Sequence, residues 1–149
     1  MEHVSRARAL FLAGYGCAQA VFAAFSDVTK VDEKLALRLG SSLGGGVGRM
    51  REVCGAVSGM ALVLGAVAGY DMPDDPERKS AHYALVQSLA GKFREAHGSI
   101  VCRELLNLQK GADSPVSPAR DAAFYQARPC LSLVETAAQI LDEWLESRP

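Results

Sequence analysis

The sequence is poor in aromatic residues, which fill 7% of its 149 positions and include one tryptophan. It has no CxxC pair, no block of like charge, and no alternating apolar–polar stretch bounded by turns. Each absence removes a class. Without CxxC, neither a thioredoxin-type dithiol nor a zinc-ribbon knuckle is encoded locally. Without charge blocks, no disordered tail is expected. Sixteen basic against seventeen acidic residues, a net charge of -1, give no general attraction to nucleic acid. What is present is 49% apolar and 22% charged, the balance of a globular chain. One domain spanning residues 1–149 is expected.

Long hydrophobic runs are also scarce. Residues 9–25 follow Arg6 and Arg8 as a signal peptide would, but they contain Gln19 and lead to no small-x-small cleavage site. Residues 53–70 carry no charge. As a helix rising about 1.5 Å per residue they would reach roughly 27 Å, close to the thickness of a bilayer core. Gly55/Gly59 and Gly65/Gly69 even form small-xxx-small pairs. A mean hydropathy of only +0.07 and the lack of a second such run favour a helix buried in a bundle, with no membrane insertion. The same apolar surface is the ground for expecting a homodimer.

Helical periodicity dominates, so the expected fold is all-α: a single compact bundle of five to seven helices. Leu10, Gly14, Cys17, Val21 and Ala24 recur in steps of four and three, placing Cys17 on the inward stripe of a first helix over 4–24. Asp32 is the expected N-cap of a second helix ending near Leu39, ahead of Gly40. Residues 41–48 read as a loop. A third helix starts near Arg49 and carries Cys54. Asp75 and Pro76 open a fourth, with Val86, Leu89 and Phe93 inward and Gly98 as its stop after His97. Ser99 caps a fifth helix with Cys102 in its first turn, ended by Gly111. Ser117-Pro118 open a short helix through Gln126. Pro129 restarts the chain with Cys130 in a first turn. The last helix sets Val134, Ala138, Leu141 and Leu145 against a solvated face of Glu135, Gln139, Asp142 and Glu146.

The chemistry concentrates in the cysteines. Four is an even number, but a chain of this length buries its own core without a disulfide framework. Gly16-Cys17-Ala18 and Cys54-Gly55-Ala56 flank sulfur with the smallest side chains, leaving room for an inorganic cluster or a close backbone. Cys102 and Cys130 fall near helix starts, where amides and the dipole favour thiolate. One such cysteine is an ordinary core residue. Four in similar settings point to chemistry. The run Gly44-Gly45-Gly46-Val47-Gly48 is neither GxGxxG nor a P-loop. It is either a flexible connection or a set of amides approaching Cys54 or a cluster. Gly44, Gly45, Gly46, Gly55 and Gly59 are therefore the candidate cofactor-binding positions. Among the histidines, His3 lies at a terminus expected to be mobile, and His82 reads as partly buried and structural. His97 reads as a dipole-stabilised helix end, five positions before Cys102, with a role in tuning or ligating the cysteine site as the alternative. No Ser/His/Asp order or paired-carboxylate arrangement is present, so no catalytic residue is assigned.

Cys17, then Cys54-Gly55-Ala56-Val57-Ser58-Gly59, then Cys102 and Cys130 resemble the signature of the C_GCAxxG_C_C family of redox-active proteins. The family name writes glycine ahead of the second cysteine, whereas here Val53 precedes Cys54 and Gly55 follows it. The glycine run at 44–46, Gln19 and Cys102-x-x-Leu105 match the same pattern. The resemblance covers residues 14 to about 141. It implies a bacterial, cytoplasmic protein with a redox or metal role and an unidentified redox partner, rather than an enzyme with its own organic substrate. Three chemistries stay open: an iron–sulfur cluster on Cys17, Cys54, Cys102 and Cys130; a thiol–disulfide protein without metal; and a structural zinc site on the same four thiolates.

Overall fold

The computed structural model describes residues 2–108 and 112–149. The chain folds into α1 (Glu2–Leu12), α2 (Cys17–Ala24), α3 (Ser26–Thr29), α4 (Glu33–Gly40), a 3-10 turn (Ser41–Leu43), α5 (Gly55–Ala68), α6 (Pro76–His97), α7 (Cys102–Leu105), α8 (Ala122–Ala127) and α9 (Cys130–Ser147). Among the described residues the only β pairing is an isolated antiparallel bridge, Val53 with Val101. The fold is all-α and compact, as expected. It has more pieces than expected because α3 and α7 are single turns and the first predicted helix is two.

α2 is the central element, packed against α1, α4, α5 and α9. Ala18, Ala20, Val21, Phe22, Ala23 and Ala24 are all buried, so its small side chains let neighbours approach closely. α5 uses that opening through two glycines four residues apart. A Cβ on Gly59 would stand 2.9 Å from the Ala18 carbonyl oxygen, and one on Gly55 3.1 Å from Cys17 Cβ. α4 arrives the same way, its Gly40 against the backbone of Gln19. The Gly55/Gly59 half of the small-residue face of α5 is thus covered by α2 of the same chain, whereas Gly65 further along has nothing within 4 Å of a Cβ. Phe11, Phe25, Phe93, Met60, Leu64 and Leu141 fill the centre. No helix among the described residues is long and apolar enough to cross a membrane.

Several boundaries are corrected. The first predicted helix breaks at residues 13–16, where Gly14 takes φ 109° and ends α1. Arg120 fixes the break, donating to the carbonyls of Phe11 (3.2 Å) and Tyr15 (3.0 Å). The third helix starts at Gly55, not near Arg49, because residues 45–49 and Arg51 all have positive φ and cannot continue a right-handed helix. The fifth is the one-turn α7, closed by Asn107 at φ 56°; Gly111, expected as its end, lies outside the described residues. Ser99 is not its N-cap but receives the Val101 amide at 3.0 Å. The short helix after Pro118 begins later, at Ala122, with Asp121 as its N-cap accepting from the Phe124 amide. Elsewhere the capping signals hold: Asp32 accepts from the Leu35 amide, Asp75 from that of Arg78, and Gly98 closes α6 at φ 88°.

Two expectations fail at the other end of the molecule. His3 is not mobile: its ring stacks on Phe25, and its two nitrogens meet Asp142 (2.6 Å) and Asp27 (3.0 Å). Asp142 accordingly leaves the solvated face of the last helix and is buried.

Candidate functional site

All four cysteines stand at helix starts. Cys17, Cys102 and Cys130 are the first residues of α2, α7 and α9, and Cys54 is the N-cap of α5. The broken first helix turns Cys17 from a mid-helix residue into a leading one. The left-handed segment before Cys54 does the same there. Cys54 and Cys102, far apart in sequence, are joined by the bridge between Val53 and Val101: the Cys54 amide donates to Ile100 (2.8 Å) and the Cys102 amide to Glu52 (2.6 Å). The four side chains line one cavity of about 520 Å³. Cys54 and Cys102 are buried and Cys17 and Cys130 half-buried, and all four are free thiols.

The cavity is electropositive. Arg49, Arg51, Arg120 and Arg128 line it, and no carboxylate does among the described residues. Helix amides add partial positive charge at the sulfurs. Cys17 and Cys130 are electrostatically paired, with the Cys17 thiol as donor to the Cys130 sulfur. That bond, with burial, pushes the Cys17 thiol well above its ordinary value. It draws Cys130 down to about 7, against burial and with help from Arg128, Arg120 and Arg51. Cys54 differs: burial pushes it up to about 12, outweighing the Ala56 and Val57 amides that pull it down. Arg51 is 2% exposed and donates to the Cys102 sulfur at 3.5 Å. Its other nitrogens hold Asp113, at 3.2 and 3.0 Å.

A family model described as "Putative redox-active protein (C_GCAxxG_C_C)" matches residues 15–144. The chain belongs to the C_GCAxxG_C_C family. No curated protein and no solved structure matches it. The family match runs from just before Cys17 to beyond Cys130, so all four cavity cysteines fall inside it.

The glycines of the CGAxxG element serve packing: Gly55 and Gly59 bring α5 against α2 and so set Cys54 beside Cys17. Gly44, Gly45 and Gly46 line the cavity. Gly46 has φ 68°, and a Cβ there would fall 2.7 Å from Cys102 Cβ and 2.6 Å from the Glu52 nitrogen. The amides that follow turn back on the loop itself, Val47 to Leu43 and Gly48 to Ser42. Val47 is a β-branched residue at φ 64°, a strained conformation that the surrounding bonds enforce. Gln19 ties the site to the scaffold: its oxygen accepts the Gly16 amide (2.8 Å) and its nitrogen donates to Leu37 (2.9 Å).

His97 neither tunes nor ligates this site. It bonds Thr136 on α9 (2.8 Å), stacks near Phe93, and is absent from the cavity lining; burial lowers its pKa. His82 is partly buried against Tyr70, as expected. The arginines are what sequence reading missed. Scattered over 80 positions, they carry no shared local spacing; Arg51 stands three residues before Cys54 and Arg128 two before Cys130, while Arg120 is ten residues from any cysteine. Among the described residues, no three of His, Cys, Asp and Glu are close enough to hold a single metal ion.

Proposed function

We propose that the protein is an electron carrier or redox sensor holding one iron–sulfur cluster between Cys17, Cys54, Cys102 and Cys130. One observation carries this reading: four thiols from four separate helix starts line a single cavity with four guanidinium groups and, among the described residues, no carboxylate. Four thiolates are the donor set of [2Fe–2S] and [4Fe–4S] clusters alike. The donor set fits, and so does the space: the four thiols line one cavity of about 520 Å³. A structural zinc site usually draws its thiolates from close sequence pairs, and successive cysteines here are 28 to 48 positions apart. When bound, such a cluster supplies one-electron exchange. The chain's own residues hold the thiolates and offset their charge with arginines and helix amides. A cluster held by thiolates suits a reducing compartment such as the cytoplasm.

The test is anaerobic reconstitution with iron and sulfide, followed by visible absorption and iron and sulfide analysis. A coloured protein with stoichiometric iron and sulfide supports the reading. A colourless protein overturns it.

The Cys17–Cys130 contact favours a second reading. The Cys130 thiolate attacks one sulfur of a partner disulfide, whose S–S bond breaks and releases a thiolate. Cys17 then loses its proton and attacks the Cys130 sulfur of the mixed disulfide. This leaves a Cys17–Cys130 disulfide and two reduced partner thiols. Cys17→Ser should trap the mixed disulfide, whereas Cys130→Ser should abolish exchange; equal exchange by both variants removes this reading.

A further inference from the structure

Arg51 is the one guanidinium buried inside the cysteine pole, and the chain goes to some length to keep it there. Its own backbone has φ 61°, a return, one residue on, to the left-handed conformation of residues 45–49. Its carbonyl accepts from the Arg103 amide (3.3 Å) and from the Arg103 side chain (3.1 Å), which also reaches Glu52. Its side chain is 2% exposed and spans two partners, the Cys102 sulfur and the Asp113 carboxylate. Asp113 is itself held: its amide donates to Arg49 (2.8 Å), and Arg49 Nε donates to the neighbouring Ser114 carbonyl (2.6 Å). A buried positive charge is costly unless it is paired. Here one side of the pairing is a carboxylate at the surface, and the other is a sulfur of the site.

We propose that Arg51 is a positioning residue that aims charge at the Cys102 sulfur and raises the reduction potential of the site, with Asp113 as its anchor and counterweight. The inference rests on the cluster reading. Reduction adds negative charge at the sulfurs, and a fixed positive charge within hydrogen-bonding distance stabilises that state. The fork of Arg51 reaches sulfur and carboxylate together, which an ammonium group does not reproduce. Asp113 has two opposed effects: it fixes the guanidinium in place, and its negative charge partly cancels it.

The experiment is an anaerobic optical redox titration of the reconstituted full-length chain, with iron content and visible spectrum recorded for each variant. Arg51→Gln should lower the ratio of reduced to oxidised protein about tenfold at a fixed applied potential, equivalent to about 59 mV for a one-electron couple. Asp113→Asn should shift the ratio the other way, by a smaller factor. Arg51→Lys should lie between wild type and Arg51→Gln. A merely structural role predicts loss of iron without opposite shifts. Unchanged potentials in both Arg51→Gln and Asp113→Asn, with iron retained, overturn the proposal. If the wild type takes up no cluster, the cluster reading falls by itself, and Arg51 is then tested in the cluster-free chain. There, Arg51→Gln should slow alkylation of Cys102 by iodoacetamide several-fold relative to Cys54; an unchanged ratio overturns the role of Arg51.

Discussion

The molecule has two polar poles, and they balance charge in opposite ways. At the His3 pole, His3 meets Asp142 and Asp27, and Arg6 meets Glu2 (2.9 Å), Asp27 (3.4 Å) and the Ala24 carbonyl (2.9 Å). The charged groups there find counterparts within the chain. At the cysteine pole, four arginines face one cavity, and Asp113 alone is shared by Arg49 and Arg51. Arg120 is hydrogen-bonded to backbone carbonyls, which leaves its charge uncancelled. A self-compensated cluster needs nothing further and acts as a clasp between helices. A pole with surplus positive charge next to four thiols is poised for thiolates and what they bind.

The largest test of that contrast exchanges the two kinds of damage. Each of Cys17→Ser, Cys54→Ser, Cys102→Ser and Cys130→Ser should abolish or alter cluster retention, because each removes a covalent ligand. The circular dichroism of the cluster-free chain should stay helical in all four. His3→Ala should do the reverse: retain iron while destabilising the fold by about 3 kcal/mol, since it strands the buried Asp142 carboxylate. Denaturant titration and iron analysis on the same samples decide it. Iron loss in His3→Ala matching that of the cysteine variants would break the separation of the poles.

A second, more local test grades the glycines. Gly46→Ala places a Cβ 2.6 Å from a backbone nitrogen at φ 68°, so it should destabilise the fold and perturb Cys102. Gly55→Val and Gly59→Val should force α5 off α2 and move Cys54 relative to Cys17, touching no ligand. Gly65 on the same helix has nothing within 4 Å of a Cβ, and Gly65→Ala should stabilise by about 0.5–1 kcal/mol with the site unchanged. Melting temperature and visible absorption across the set provide the readout.

The helical class, most caps and the four cysteines were legible in the sequence because each depends on local pattern. Asp32 and Asp75-Pro76 act within one turn, and the stripe of α9 repeats with the helical period. What was hidden depends on tertiary placement. The break ahead of Cys17 needs Arg120, more than a hundred positions later, to hold the carbonyls of Phe11 and Tyr15. The left-handed run through Val47, Arg49 and Arg51 goes against the preferences of those residues, so propensity pointed to a helix starting near Arg49. His3 looked mobile because its partners, Asp27 and Asp142, lie on distant segments. The glycines at 14 and 16, just ahead of Cys17, were the one local hint that Cys17 begins a helix.

The smallest effect expected concerns pH at the compensated pole. Burial alone would raise the Asp27 carboxyl, but the hydrogen bond and charge of His3, with Arg6 beside it, hold it below its ordinary value. A carboxylate depressed in the folded state stabilises the fold above its unfolded pKa of about 3.9 and loses that contribution as pH falls through the folded value. Asp27 is 53% exposed, so solvent screening keeps the contribution below about 1 kcal/mol. Asp27→Asn should therefore be slightly less stable than the wild type at pH 5, and the two should converge as pH falls through the folded value. Denaturant midpoints followed from pH 5 into acid measure the difference. A gap between the two proteins that widens towards acid would show that neither His3 nor Arg6 draws stability from Asp27, leaving Asp142 as the charge partner that holds His3.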